Sequence, residues 1–336
     1  MINPLIGNNS SPILLHSPID KAVVGIPFIH NPSAYDSDGD SLSYALISCK
    51  GENGNNLVGY QFPDASNSLT IDASGNLIWD SPTMVGEYNI AILIEEWRNG
   101  VKVGSIVRDM QITVAPNTIN NHPPKIQVQN NFCVVAGDSL NIPILAWDED
   151  SIFTDNFGNY YWGSSAIPFG STIVDTAFQK IKLSGTSGLF AFSEIVDTQS
   201  ISSNLTIPTF CADVRKSPYG LVLKVKEQSH SAVALSTMQS VEIKIIAPKI
   251  ENVKVDSVMQ IQKAIAISWN ESICSNATSY LVYRKQATSN LALDSCTTGI
   301  PNGSGFSKIG EIIGLNNTLF VDDNNGEGLG EGVNYC

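Results

Sequence analysis

The feature that most constrains the fold is an internal repeat with a constant offset. Three separated landmarks recur 112 residues later in the chain: Asn8–Pro12 resembles Asn120–Pro124, Gly25 matches Gly137, and Ala34–Asp38 matches Ala146–Asp150. Separated landmarks rarely share one offset by chance, so the pattern indicates a duplicated module.

The far ends of the two copies also agree. Tyr88–Glu96 and Tyr219–Glu227 each begin with an aromatic residue, alternate apolar side chains with a period of two, and close on an acidic residue. Each copy then ends in an apolar strand and an Ala-Pro pair, at 115–116 and at 247–248. Because proline cannot donate the hydrogen bond that continues a sheet, these pairs predict linkers.

Short apolar runs between Gly, Asn, Asp and Pro residues predict strands along the whole chain, and no helical period extends beyond about ten residues. The predicted strands of the two copies are Ser43–Ile47, Leu77–Trp79, Glu87–Ile94, Asp109–Val114, Ser139–Ala146, Gly220–Lys226 and Val241–Ile246. This pattern favours an all-β fold of tandem β-sandwich modules. The predicted modules are 1–116 and 117–247, the second with an insertion near 151–176.

Residues 248–336 have a different pattern. Ala264–Trp269 predicts a strand that ends on a tryptophan, and Tyr280–Arg284 predicts the next one. Leu329, Gly332 and Tyr335 have the spacing of a tyrosine corner, in which the phenol bonds to nearby backbone at the edge of a sandwich. These features resemble a fibronectin type III-like module without its last strand, so 248–336 is predicted to be a third, C-terminally truncated module.

The charge of the chain limits its partners. The formal net charge is -13, and so acidic a surface repels phosphate backbones, which argues against nucleic-acid binding. No apolar run reaches the ~18–20 residues of a membrane span, and the first residues lack the features of a signal peptide. The sequence stops inside an apparent strand at Cys336, which predicts a segment of a longer exported protein.

The cysteines bear on the compartment. They lie at 49, 133, 211, 274, 296 and 336 and form no close pair of the kind that binds zinc. Wide spacing in an acidic, β-rich chain favours disulfides and an oxidising compartment. The alternative is a set of buried thiols in a cytosolic protein, because free cysteine often belongs to a core.

Carboxylates concentrate at the same place in both copies. The first copy has Asp36, Asp38, Asp40 and Glu96, and the second has Asp148, Asp150 and Glu227 in the same layout. Calcium takes about 6–8 hard oxygen ligands and relieves the repulsion among carboxylates, so it is the predicted cofactor. The spacing does not match an EF-hand loop. The alternative is a solvated Asp-Gly turn between strands.

Enzyme motifs are missing from the sequence, which has no GxSxG, HExxH, P-loop or helix-opening GxGxxG. The four histidines are scattered. Glu95 and Glu96 are neighbours on a strand and point to opposite faces, so they cannot flank one glycosidic bond. Cys49 has no activating histidine nearby in sequence and is predicted to be a buried thiol. The chain is therefore predicted not to be an enzyme.

Two aromatic segments have separate interpretations. Tyr160, Tyr161 and Trp162 lie in the predicted insertion and are candidate glycan contacts, because sugars stack on exposed aromatic rings. The alternative is that they pack over the insertion's own small core. Trp97–Gly100 contains an Asn-Gly pair and predicts a type I′ hairpin turn.

Several stretches resemble large exported Bacteroidetes proteins linked to gliding motility, whose repeats are cadherin-like and immunoglobulin-type. The stretches are PIDKAVVGIPFIHNPSAYDSDGDSLSY at 18–44, GEYNIAILIEEWRNGVKVGSIVRDMQITV at 86–114, SYLVYRK at 279–285 and SCTTGIP at 295–301. The resemblance implies an extracellular, multi-module surface protein that is exported by type IX secretion and has no catalytic residues.

The resemblance also bears on the cysteines. Relatives have a cysteine near position 23 that partners the one matching Cys49, whereas this chain has Val23. Cys49 is then a free thiol, or it has a partner that the sequence does not reveal. The implied bridges are Cys133–Cys211 in the second module and Cys274–Cys296 in the third. Cys336 would then pair with a residue that follows it.

The predicted function is a structural or adhesive array at the cell surface, stiffened by calcium where calcium binds. The alternative is a carbohydrate-binding accessory region of a secreted polysaccharide-degrading protein. The expected partner is a surface glycan or protein, and neither nucleic acid nor a membrane span is expected.

Overall fold

Strands dominate the chain. The computed structural model describes residues 7–117, 121–162, 171–228, 234–289, 291, 294 and 296–336, apart from the side chains of 160–162 and 175–178. Single helical turns occur at Glu52–Gly54 and Cys211–Asp213. The chain is all-β and consists of tandem β-sandwich modules, as the sequence predicts.

The residues group into two compact units. The first contains Met1–Phe132, Asn141–Ile207 and Lys216–Ile243, and the second contains Cys133–Leu140, Pro208–Arg215 and Lys244–Cys336. Two short segments of the second repeat therefore belong to the same unit as residues 248–336. The division into modules near residues 116 and 247 stays a prediction.

In the first repeat, over the described residues from 7 onward, there are nine strands: β1 (Ile13–Leu14), β2 (Ile19–Val23), β3 (Phe28–His30), β4 (Ala34–Tyr35), β5 (Ser41–Ile47), β6 (Leu69–Ile71), β7 (Leu77–Trp79), β8 (Gly86–Arg98) and β9 (Val101–Ala115). One sheet has the order β2-β9-β8-β5, with β2 parallel to β9, and the other has the order β3-β7-β6. β1 pairs with β4.

The core of the first repeat lies between these two sheets. Ile90, Ile92 and Ile94 of β8 point to one face because side chains alternate along a strand, and all three are fully buried. They pack with Leu77 and Trp79 of β7. The Trp79 indole N–H donates to the backbone oxygen of Asp64 at 2.9 Å. The buried indole N–H therefore has a hydrogen-bond acceptor.

The predicted hairpin turn at Asn99-Gly100 is confirmed. It joins β8 to β9, and both turn residues have positive φ, 52° for Asn99 and 79° for Gly100. This is the backbone of a type I′ turn, which matches the right-handed twist of the strands on either side.

Replacing Gly100 with alanine should cost about 1 kcal/mol of stability, because an alanine side chain disfavours the left-handed conformation. Gly220 is the matched control, since an added Cβ meets nothing within 4 Å at either position and only Gly100 has a positive φ. Urea denaturation should show a loss for Gly100→Ala and none for Gly220→Ala. Equal losses in both variants would contradict the assignment of the turn.

The described residues of the second repeat form eleven strands: β10 (Lys125–Gln127), β11 (Asn131–Val135), β12 (Ser139–Trp147), β13 (Ser151–Asp155), β14 (Tyr160–Trp162), β15 (Ile173–Phe178), β16 (Lys180–Ser187), β17 (Ile195–Thr198), β18 (Ser200–Pro208), β19 (Tyr219–Glu227) and β20 (Ser236–Ile246). The sheets have the orders β11-β20-β19-β16-β17, β10-β12-β18 and β14-β13-β15. The last of them is formed by the predicted insertion.

The part of 248–336 that the structure describes contains five strands: β21 (Lys254–Met259), β22 (Ala264–Ser268), β23 (Ser279–Arg284), β24 (Ser307–Ile313) and β25 (Leu319–Asp322). They form the sheets β21-β22-β25 and β23-β24. Trp269, Tyr280 and Val282 make the local core. The contact predicted for Tyr335 is present, because its phenol oxygen accepts the backbone N–H of Gly330 at 2.9 Å.

The disulfides join the predicted cysteines, but with exchanged partners. Cys133 is bonded to Cys296 and Cys211 to Cys274, with Cα–Cα distances of 6.0 and 5.1 Å. The predicted pairs Cys133–Cys211 and Cys274–Cys296 are therefore wrong. Four cysteines allow three pairings, and sequence distance does not choose among them.

A side-chain hydrogen bond lies beside each bridge. The Asn276 amide donates to the backbone oxygen of Cys211 at 2.6 Å, and the Lys244 ammonium donates to that of Cys296 at 3.2 Å. Cys49 is buried and free, as one of the two interpretations predicted, and Cys336 is exposed and free.

Candidate functional site

The predicted carboxylates of the first repeat converge in the loop between β4 and β5. Carboxylate oxygens of Asp36, Asp38 and Asp40 lie within 4.8 Å of one another. The loop closes because Asp36 Oδ1 accepts the backbone N–H of Asp40 at 2.9 Å, and Gly39 supplies the positive φ of 82°. Asp36 and Asp40 are buried, and Asp38 is exposed.

Glu96 of β8 lies near enough to feel the charges of these aspartates, but its carboxylate is not part of the group that converges within 4.8 Å. Its side chain is buried, and its Oε2 accepts the Asn9 amide N–H at 2.5 Å. Its Oε1 is buried with no hydrogen-bond partner. Burial raises the pKa of Glu96, and the neighbouring aspartates raise it further. A buried carboxylate oxygen without a donor is costly, so the residues fit a ligand that would supply positive charge there.

Arg98, at the end of β8, supplies one positive charge to the loop. Its Nε and Nη2 donate to Oδ1 and Oδ2 of Asp40, both at 2.7 Å, and Nη2 lies 3.5 Å from Asp38. The two-point contact with Asp40 raises the pKa of Arg98. Because both oxygens of Asp40 are engaged, the oxygens left for a metal come mainly from the other carboxylates.

The second repeat reproduces the hydrogen bonds of this arrangement, but Asp148, Asp150 and Glu227 do not converge within 4.8 Å as the three aspartates of the first repeat do. The Asn121 amide donates to both carboxylate oxygens of Glu227, at 3.0 and 2.9 Å, and the backbone N–H of His122 donates to Asp150 at 2.6 Å. The matching contacts in the first repeat are Asn9 with Glu96 and Ser10 with Asp38. The repeat seen in the sequence is therefore a repeat of hydrogen bonds as well.

Unpartnered oxygens also mark the second site. Asn121 Oδ1 and Asp148 Oδ2 are buried without a hydrogen-bond partner, and so are both polar atoms of the fully buried Gln179 amide. Two backbone hydrogen bonds connect Gln179 to Asp148 through Gln199. The Gln179 carbonyl oxygen accepts the backbone N–H of Gln199 at 2.9 Å, and the Gln199 carbonyl oxygen accepts the backbone N–H of Asp148 at 2.8 Å. Carbonyl and carboxylate oxygens are the ligands that calcium prefers.

Burial changes the ionisation of this second site. It raises the pKa of Asp148 to about 6 and that of Glu227 to about 8. The folded chain thus holds these protons more tightly than the unfolded chain does. In the absence of metal, these groups stabilise the fold at low pH, and that contribution is lost as the pH rises through each folded pKa.

A pH series therefore tests the burial of Glu227. In a chelating buffer, urea denaturation of the Glu227→Gln variant should lose less stability between pH 5 and pH 8 than the parent chain does, because glutamine does not ionise. If the parent chain and the variant lose equal stability between pH 5 and pH 8, Glu227 is not the buried acid described above.

The remaining candidate residues are Glu95, Cys49 and the aromatic residues at 160–162. Glu95 forms an ion pair with Lys102 at 2.5 Å, while Glu96 is buried, so the two glutamates face opposite sides of β8 as expected. Burial raises the pKa of the Cys49 thiol, which opposes a nucleophilic role. Tyr160, Tyr161 and Trp162 form β14, and their side chains lie outside the described part of the chain.

Several contributors to the sites were missed by sequence reasoning, Gln179 among them. Asn9 and Asn121 were recognised as matched landmarks of the repeat, and their pairing with the terminal glutamates could have been inferred from the same offset. Arg98 was assigned to the hairpin turn alone. Its contact with Asp40 depends on the pairing of β8 with β5, which sequence does not specify.

Comparison with known proteins gives limited likenesses. No family model and no curated protein matches the sequence. Solved structures that resemble it include a run of titin domains, with 12% identity over 93% of this chain and 85% of that one and a TM-score of 0.21. The insect immune protein hemolin has 12% identity over 90% of this chain and 69% of its own, with a TM-score of 0.25. The human desmocollin-1 ectodomain has 10% identity, coverages of 97% and 78%, and a TM-score of 0.22.

These TM-scores carry no inference about activity or partners, and the fold class rests on the chain's own sheets. In the described part of the chain, no helix has the length and hydropathy needed to cross a membrane.

Proposed function

We propose that this chain is a non-catalytic structural or adhesive segment of an extracellular multi-module protein, and that calcium stiffens its first two repeats. One observation carries the calcium proposal. Both repeats hold buried carboxylate or amide oxygens without hydrogen-bond donors at their carboxylate sites, although not on matching residues: Glu96 Oε1 in the first repeat, and Asn121 Oδ1 and Asp148 Oδ2 in the second.

The ligand chemistry supports calcium over softer metals. The groups at both sites are oxygens from carboxylates and side-chain amides, whereas zinc favours cysteine and histidine. In the first repeat the ligands would be Asp36, Asp38 and Glu96, with Asp40 available only when Arg98 moves away. In the second they would be Asn121, Asp148, Asp150 and Glu227.

Both sites would join separate parts of their repeats. Glu96 lies in a long strand, the aspartates lie in the β4–β5 loop, and Asn9 precedes β1. A cation bound by Glu96 and the aspartates would link the strand to the loop and restrict their relative motion, and Asn9 would be held through its hydrogen bond to Glu96. This is a mechanical effect, and it suits a chain that spaces or presents other domains.

The compartment belongs to the same proposal. Two disulfides support an oxidising environment. The sequence stretches that resemble gliding motility-associated proteins support export by type IX secretion, with residues 248–336 as a fibronectin type III-like module. The partner would then be a surface glycan or a surface protein.

A thermal melt tests the calcium proposal. The melting temperature should be higher with calcium than with a chelator, because a ligand that binds only the folded state stabilises it. Asp148→Asn should reduce the shift, and the exposed Asp256 gives the control variant Asp256→Asn, which should keep it in full. No shift in the parent chain would contradict calcium binding at these sites.

A further inference from the structure

A polar interface joins the first and second repeats inside the first compact unit. We call it the repeat junction. The first repeat contributes His16, Asp20, His30, Asn31 and Ser33, and the second contributes Thr186, Lys224 and Ser240. Two of these eight side chains are imidazoles, the groups whose ordinary pKa lies nearest to physiological pH.

His16 is held at the junction through both ring nitrogens. Its Nδ1 lies 2.7 Å from the backbone oxygen of Asn31, which can only accept, so Nδ1 carries the proton. Its Nε2 then accepts from the Thr186 hydroxyl at 3.0 Å, and Thr186 in turn contacts the Ser33 hydroxyl at 2.9 Å. Neutral His16 thus bridges the two repeats.

The charges that face His16 are mostly positive. Lys224 comes from β19, and the Arg108 guanidinium on β9 donates to the backbone oxygen of His16. Asp20 of β2 is the acid on this side, and it already accepts from Lys224 at 3.2 Å and from His30 at 3.0 Å. Two more acids lie at the edge of the junction: Glu242, which contacts Ser74, and Asp72, which accepts from Asn76.

A second proton on His16 would therefore add charge without a free counter-ion. The hydroxyls of Thr186 and Ser33 can reverse their direction, so the loss is not one of hydrogen bonds. The cost comes from placing a cation in a partly buried position near Lys224. Burial lowers the pKa of His16, and the charges of His30 and Lys224 lower it as well.

We propose that the repeat junction is pH-sensitive, closed while His16 is neutral and opened when His16 is protonated. The direction of the pH effect follows from the coupling between proton binding and opening. An imidazole whose pKa is depressed in the closed state binds its proton more readily in the open state, so acid favours opening. Asp20 does not take part near neutrality, because its pKa is lowered to about 2.

Hydrogen exchange of the full chain in a chelating buffer tests this proposal. After correction for intrinsic exchange, opening of the segments 28–35 and 182–188 should increase up to about tenfold between pH 7.5 and pH 5.5, the limit for an open-state imidazole with a pKa of about 6.5. Exchange in the core of β8 serves as the reference for global unfolding.

Two variants separate the charge from the contact. His16→Asn keeps a donor toward Asn31 and cannot gain charge, so its opening should not depend on pH over this range. Thr186→Val removes the hydroxyl but keeps the imidazole, so it should open more at both pH values and retain the pH ratio. A parent chain that does not respond to acid, or a His16→Asn variant that responds equally, would overturn the proposal.

Discussion

Replacing Cys211 and Cys274 together with serine is expected to destabilise the second unit by about 4 kcal/mol. The bridge closes a loop with a sequence separation of 63, and the chain-entropy model assigns a cost of about 4 kcal/mol to releasing a loop of that length. Urea denaturation under oxidising conditions measures this difference. Cys336→Ser is the control, because Cys336 is exposed and free, and it should leave stability unchanged.

The pairing itself can be read by peptide mapping without reduction. The expected fragments link Cys133 to Cys296 and Cys211 to Cys274, and a thiol count after denaturation should find two free cysteines. A fragment that links Cys133 to Cys211 would restore the pairing implied by the sequence resemblance and contradict the structure.

Replacing Arg98 with alanine should lower the free energy of unfolding by about 3 kcal/mol when calcium is removed. The Arg98 guanidinium neutralises Asp40, whose side chain is only 3% exposed. Removing one partner of a buried pair leaves an uncompensated charge, which typically costs about 3–5 kcal/mol. The loss falls at the low end because the Arg98 side chain is partly exposed.

Calcium should recover part of that loss, because Asp40 becomes available as a ligand when Arg98 is absent. Lys102→Ala provides the matched control on the same hairpin. Lys102 pairs with Glu95 at the surface, and a pair of that kind contributes about 0–1 kcal/mol. If Arg98→Ala and Lys102→Ala cost equal stability, the pair of Arg98 with Asp40 does not stabilise the fold more than a surface pair does.

Local patterns predicted the parts of the structure that depend on nearby residues. Alternating apolar residues in 88–96 and 219–227 predicted β8 and β19, and Asn99-Gly100 predicted the turn between β8 and β9. The offset of 112 predicted that Asp148 and Asp150 would occupy the places of Asp36 and Asp38. Each of these inferences uses a backbone preference or a comparison of the chain with itself.

Contacts between distant segments were not predictable in the same way. Cys211 lies beside Cys274 because of tertiary packing. The 62 residues between them contain no pattern that predicts this contact. Arg98 reaches Asp40 across the pairing of β5 with β8. Gln179 is fully buried near Asp148 through two backbone hydrogen bonds that involve Gln199. Nothing in the composition of these segments marks them as neighbours.

Equilibrium dialysis shows whether the folded chain binds calcium. We expect saturable binding of one calcium ion in each of the first two repeats. The double variant Asp148→Asn/Glu227→Gln should lose the ion of the second repeat and keep that of the first. If the folded parent chain binds no calcium, neither repeat holds the proposed site.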